Sequence, residues 1–148
     1  MSSGLPPPFS NVTPLLEVLH KLGHGLDATD LVALSDGHTI GLGHCTSFEK
    51  WLYPGSDPSM SPSFVARLKQ TCPAMGTRSS TALDVGTPNV FDNKYFVNLL
   101  NREGLFVYDQ DLYTNTMVLA TRHRLLPIAD PDSQKLSAKR MVSCVPAN

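Results

Sequence analysis

His38 closes an apolar run, "DLVALSDGHTIGLGHC", which occupies residues 30–45. Leu31, Val32 and Leu34 recur at helical spacing, and the run then breaks on Ser35-Asp36-Gly37 before presenting the imidazole. A lone histidine at the end of an apolar helix is ordinarily a core or capping residue; the alternative is a ligand aimed at a metal. His44 and Cys45 follow, but Gly41 and Gly43 break the segment between them, and the spacing is not that of a tetrahedral zinc site. Gly41-x-Gly43 has no third glycine in phase, so it gives little support to a dinucleotide-binding loop. His20 and His24 stand four residues apart without a third ligand nearby and read as solvent-facing.

Two acidic segments offer oxygen chemistry. In "LDVGTPNVFD", residues 83–92, Asp84, Thr87 and Asp92 place hard oxygen donors on an irregular stretch whose carbonyls are also free, the ligand type calcium takes. The spacing is not that of an EF-hand. The same residues also read as turn and cap, since Asp92 precedes a helix and Thr87-Pro88 is a turn. In "YDQDL", Asp109 and Asp111 are carboxylates, and an aspartate beside a metal-ligating imidazole would accept its second N–H. Spacing alone does not bring Asp109 to His38, and read by itself the segment is a solvated turn.

The elements that must position these residues are mostly helical. Residues 1–11 form an extended lead-in. Thr13-Pro14 opens a helix with Leu15, Leu16, Val18, Leu19 and Leu22 on one face, ended by Gly23 or Gly25. A second helix starts at Asp27 and runs toward His38, with Asp27 and Asp30 at the positive end of its dipole. Residues 53–60 are a turn-rich loop, and Ser61-Pro62 opens a third helix to about Cys72, with Phe64, Val65 and Leu68 inward. Residues 73–90 are irregular, punctuated by Pro73, Gly76, Gly86 and Pro88. A fourth helix runs from Phe91 or Asp92 to a stop at Gly104, and "LFVYDQDLY" follows as a short strand or turn. Two further helices are expected over 116–126 and 131–142.

Composition sets the class. At 148 residues, with 41% hydrophobic and 17% charged residues, the chain suits one globular domain. A net charge of −1 from 12 basic and 13 acidic residues gives no electrostatic reason to expect nucleic acid or an anionic membrane as partner. No apolar stretch approaches the length of a membrane span, and "MSSGLPPPFSNV" has neither the basic start nor the apolar core of a signal peptide. The cysteines, Cys45, Cys72 and Cys144, are odd in number and contain no C-x-x-C pair. One disulfide plus a free thiol fits, and so do three thiols.

Three blocks taken together, "DLVALSDGHTIGLGHC", "DVGTPNVFDNKYFVNLL" and "REGLFVYDQDLYTN", in this order and spacing, resemble the secretory plant haem peroxidases of class III. The resemblance runs from about Leu5 to Asn115 and includes the stretch leading into the family's proximal helix. It implies the proximal half of the haem peroxidase helical fold: mainly α, with long irregular loops, a single partial domain over 1–148 whose residues 116–148 form a divergent tail. It also implies haem b and calcium as cofactors, hydrogen peroxide and small phenolic donors as substrates, a role in peroxide catabolism and oxidative stress, and secretion. His38 matches the histidine that binds the haem iron, and Asp109 the aspartate that hydrogen-bonds its other nitrogen. Thr39, Asp84, Thr87, Val90 through its carbonyl, and Asp92 match the proximal calcium site. Cys45 and Cys72 match a family disulfide, and Pro6 and Pro8 fall where the family lines its aromatic-donor edge.

The departures bear on activity. The chain begins where the family is about half finished, and the distal motif resembling R-x-x-F-H-D-C is absent, since none of the five histidines is followed by aspartate. The proton transfer and charge stabilisation that this motif supplies go with it. Asp36 stands where the family usually has a glycine, and Cys144 is expected as a free thiol. Two readings follow. One is a haem peroxidase reducing hydrogen peroxide with phenolic donors. The other is a truncated, non-catalytic remnant or helical calcium- or haem-binding module, whose uncovered haem face would favour self-association. Without a signal peptide the chain as written would stay in the cytoplasm, where a Cys45–Cys72 disulfide would not persist.

Overall fold

The computed structural model describes residues 10–21, 25–116 and 118. Among them are α1 (Val12–Lys21), α2 (Ala28–Ser35), a 3-10 turn (Asp36–Thr39), β1 (Leu42–His44), α3 (Cys45–Leu52), α4 (Pro62–Thr71), β2 (Ser80–Ala82), α5 (Lys94–Leu100) and α6 (Val107–Thr114). The chain is mainly helical, as expected, with long irregular connections. Thr116 and Val118 are helical as well. The rest of the tail with its expected helices, residues 1–9 of the lead-in with Pro6 and Pro8, Leu22, Gly23, His24 and Cys144 lie outside the described residues.

Local chemistry accounts for two of the helix starts. The Asp27 carboxylate accepts the N–H groups of Thr29 and Asp30 at 2.7 and 3.1 Å, and Asp30 returns a bond to the Asp27 N–H at 2.9 Å. This reciprocal cap satisfies orphan donors of α2 from both sides. Ser61 accepts the Phe64 N–H at 3.4 Å ahead of Pro62 at the first helical position. Helix α1 starts at Val12 rather than at the expected Thr13-Pro14. The Val12 N–H donates to Asp111 Oδ2 on α6 at 2.8 Å, so a carboxylate 99 positions away anchors this end.

The expected strand or turn at "LFVYDQDLY" is instead helix α6. Phe106 and Val107 favour extended backbone, but the helix already begins at Val107; Phe106 before it is extended, and its N–H donates to Asp109 Oδ2 at 2.8 Å. Helix α5 is shorter than expected: it begins after Asp92, whose Oδ1 accepts the Lys94 N–H at 2.8 Å, and ends at Leu100, before Gly104. Arg102 follows in the left-handed region (φ 61°), and its guanidinium donates to the carbonyls of Pro58, Ser59 and Met60 at 2.7–3.0 Å. The bonds hold a conformation that L side chains rarely adopt. Residues 73–90 are not wholly irregular. Ser80–Ala82 pairs antiparallel with Leu42–His44, in the register Leu42↔Ala82, Gly43↔Thr81, His44↔Ser80.

Two apolar clusters divide the described chain. Val12, Leu16, Leu31, Val32, Tyr95, Phe96, Leu99, Leu112 and Val118 form one; Cys45, Phe48, Leu52, Met60, Phe64, Val65, Leu68, Cys72 and Leu105 form the other. Buried Gln110 helps join α5 to α6, donating to the Leu99 carbonyl at 3.2 Å and accepting the Gly104 N–H at 3.3 Å. Gly41 and Gly43 stand where the backbone packs closely against side chains. Gly41 has φ 129°, and a Cβ on Gly43 would come within 2.5 Å of Leu105.

Cys45 and Cys72 form a disulfide, with Cα atoms 5.7 Å apart, joining the start of α3 to the end of α4. It closes a loop with a sequence separation of 27 residues, which corresponds to about 3.5 kcal/mol of lost unfolded-state entropy. Replacing both cysteines with alanine should lower the unfolding free energy by about that amount in urea titrations. A change below about 1 kcal/mol would show that the loop is already restrained in the unfolded chain.

Candidate functional site

The apolar face of α2 buries Leu31 and Val32, and the 3-10 turn at its end carries His38 to the seam between the two clusters. The ring is held edge-on by three aromatics: Tyr95 at 5.9 Å between centroids, Phe106 at 5.6 Å and Tyr108 at 5.5 Å. Tyr95 belongs to the first cluster and Phe106 packs against the second. The side chain keeps 28% of its surface exposed, so one side of the ring is open.

His38 Nδ1 lies 2.9 Å from Asp109 Oδ1. A carboxylate only accepts, so Nδ1 carries a proton, and in the neutral imidazole the lone pair is on Nε2. Asp109 is 1% exposed and is not the solvated acid that its segment suggests in isolation. Its buried charge is met by the His38 N–H, by the Tyr95 hydroxyl at 2.8 Å on the same Oδ1, and by the Phe106 N–H on Oδ2. Burial, reinforced by the Asp109 charge, pushes the Tyr95 hydroxyl well above the ordinary tyrosine range. Burial and then Asp109 push the Tyr108 hydroxyl up as well. Both phenols are therefore donors at neutral pH: Tyr95 to Asp109, and Tyr108 to Ser35 Oγ at 3.0 Å.

Thr39, next in the turn, opens a second constellation. Its Oγ1 faces Asp84 Oδ2 at 3.3 Å, the Val90 carbonyl at 3.4 Å and the Asp92 carbonyl at 3.0 Å. Thr87 Oγ1 faces Asp84 Oδ2 at 3.4 Å and both Asp92 carboxylate oxygens at 3.0 and 2.9 Å. Each hydroxyl has one proton for three acceptors, so oxygens crowd here beyond what internal hydrogen bonds can satisfy. Asp84, fully buried, has its other oxygen fixed by the Gly86 and Thr87 N–H groups and by Asn98 Nδ2 at 2.7–3.1 Å. Among the described residues no three His, Cys, Asp or Glu converge. The set here is two carboxylates with hydroxyl and carbonyl oxygens, the chemistry that suits a hard cation.

All five residues expected around the oxygen cluster come together, as do His38 and Asp109. Sequence reasoning missed Tyr95 and Asn98, which lie three positions apart on α5 and so share a face. The Phe106 N–H and the Asp92 carbonyl were also missed, because backbone groups carry no residue signal.

Comparison with known proteins places these features in a family. The family model described as peroxidase matches residues 1–126. The chain is 63% identical over 118 residues to cationic peroxidase SPC4 of Sorghum bicolor, covering 80% of this chain and 32% of that protein. It is 49% identical over 113 residues to peroxidase 12 of Arabidopsis thaliana, covering 76% of this chain and 31% of that protein. Peroxidase 66 of Zea mays is 42% identical over 114 residues, covering 77% and 34%. The chain thus spans about a third of the length of the curated relatives it matches. On the strength of these matches, the chain belongs to the class III plant peroxidase family.

Proposed function

We propose that this chain is the iron-holding part of a secreted haem peroxidase, with haem b on His38 and calcium in the oxygen cluster. The observation that carries the reading is the His38–Asp109 pair: a half-open imidazole whose Nδ1 is committed to a buried carboxylate, leaving Nε2 for a metal. Asp109 fixes the tautomer and ring orientation and lends the imidazole negative charge, which favours oxidised iron. When bound, haem supplies the redox chemistry that reduces hydrogen peroxide to water with electrons from phenolic donors. The aromatic edges of Tyr95, Phe106 and Tyr108 keep the ring from rotating away from that position. No histidine here is followed by aspartate, so the distal acid–base groups of the family's motif are not among these residues. The Cys45–Cys72 bridge supports secretion rather than residence in the cytoplasm, because such bonds persist in oxidising compartments.

Calcium would be held by Asp84, Asp92, Thr87, Thr39 and the Val90 carbonyl. The ion would supply no redox step; it would fix Thr39, and with it the adjoining His38, against the loop of residues 84–92.

A haemin titration of the purified chain, with calcium present and the Soret band followed, should saturate at one equivalent. His38→Ala should abolish specific binding, and Asp109→Asn should weaken it by about 10–100-fold. Binding indifferent to His38 would remove the basis for this reading. Calcium at a hundredfold excess over its dissociation constant should stabilise the chain by about 3 kcal/mol in thermal or urea unfolding. Asp84→Asn should lose that increment, and an undiminished calcium response in this variant would place the ion elsewhere.

A further inference from the structure

Asp109 Oδ1 serves two donors at once. His38 Nδ1 reaches it at 2.9 Å and the Tyr95 hydroxyl at 2.8 Å. The phenol is 1% exposed, and burial beside a carboxylate keeps it protonated. Two hydrogen bonds to one carboxylate oxygen compete for the same electron density, and a bond to a charged group buried in low dielectric is strong. The Tyr108 hydroxyl also lies beside that of Tyr95, but it makes no bond to Asp109 and donates to Ser35 Oγ at 3.0 Å. The Tyr95 ring packs edge-on against His38 and against Phe96, with centroids 5.1 Å apart in the second case, so the hydroxyl is held on target by the core. Tyr108 is an internal contrast: its ring touches His38 at a similar distance, but its hydroxyl goes to Ser35.

We propose that Tyr95 is a positioning residue that governs how much of the Asp109 charge reaches the His38 imidazole, through its shared bond to Oδ1. This rests on the reading of His38 as the iron ligand only for its consequence at the metal; the competition itself is a property of the chain without cofactor. With Tyr95 in place the charge is divided, and the imidazole is a weaker donor than the His38–Asp109 pair alone would make it. Removing the phenolic oxygen gives that share back to His38.

Two readouts test it. In the chain without haemin, at a pH where His38 is neutral, the Nδ1 proton resonance should move downfield in Tyr95→Phe as its bond to Asp109 shortens. Tyr108→Phe, which removes a hydroxyl from the same aromatic wall but not from Asp109, should leave that resonance near its wild-type position. In the haemin-loaded chain, Tyr95→Phe should raise the iron–histidine stretching frequency of the ferrous form and make the ferric–ferrous midpoint more negative. Should Tyr95→Phe fail to fold, 3-fluorotyrosine at position 95 keeps the packing with a stronger donor and should move the same resonance upfield. A space-filling role for Tyr95 predicts a Nδ1 resonance no further from wild type than that of Tyr108→Phe, and that result would overturn the proposal. If haemin does not bind through His38, the assignment of the iron ligand fails, while the Nδ1 resonance still decides the role of Tyr95.

Discussion

A buried carboxylate must be surrounded by donors or it does not stay buried as an ion, and Asp109 imposes that requirement on half the molecule. Leaving a charged group in the interior with too few partners costs several kcal/mol. The donors come from three separate places: the turn after α2, the face of α5, and the extended residue before α6. Each bond does local work as well. The Phe106 N–H sets where α6 begins, Tyr95 fixes α5 against the first cluster, and His38 fixes the end of α2. The geometry around His38 and the helix packing are thus the same set of contacts. Helix α6 adds a further tie through Asp111, which receives the Val12 N–H and so draws α1 onto the same scaffold.

The position of His38 follows from the division of the core. A histidine inside either cluster would be enclosed on all sides; at the seam it is gripped by rings from both yet keeps an open side. The small sheet also contributes. Gly43 lets β1 approach Leu105 and Phe106 closely, and Gly41 accepts the Leu83 N–H at 3.0 Å, which sets the course of the chain into Asp84. The backbone that leaves His38 therefore returns, through β2, to build the oxygen cluster beside it.

What the sequence made legible divides by range. The caps at Asp27 and Ser61 are local pairs three residues apart, and local patterns located α2 and α4 closely. Helix α3 was not anticipated because only Phe48 and Leu52 signal its buried face beyond Cys45, and the three-residue strands are too short to carry a period. Helix α6 was misread because Phe106, Val107 and Tyr108 favour strands, while the bond that settles the matter, Asp109 to the Phe106 N–H, needs the helix to exist before it can form. The site residues were reached by resemblance, not by spacing: Asp109 and His38 lie 71 positions apart, and no local pattern joins them. The resemblance also fixed which cysteines pair, where counting left two alternatives. Tyr95 and Asn98 escaped both routes, since an aromatic and an amide on an amphipathic helix look like ordinary core and cap.

The electrostatics of the oxygen cluster show why a cation would matter to the histidine beside it. Asp84 and Asp92 both face the Thr87 hydroxyl, at 3.4 and 2.9 Å, so their oxygens lie within roughly 6 Å of one another, and the Asp84 side is fully buried. Two like charges at that distance repel by about 3 kcal/mol at an effective dielectric of 20. A single hydroxyl proton, shared among three oxygens, offsets only part of that. A divalent ion held between them would reverse the sign of the interaction and turn the repelling pair into a clamp. Because Thr39 reaches into the cluster and is bonded covalently to His38, loosening such a clamp would loosen the residue before it. The Asp109 bond and the three aromatic edges would then have to hold the ring without it. The oxygen cluster and the His38–Asp109 pair are separate in chemistry but joined by one peptide bond, so a cation held in the first would bear on the orientation of the imidazole in the second.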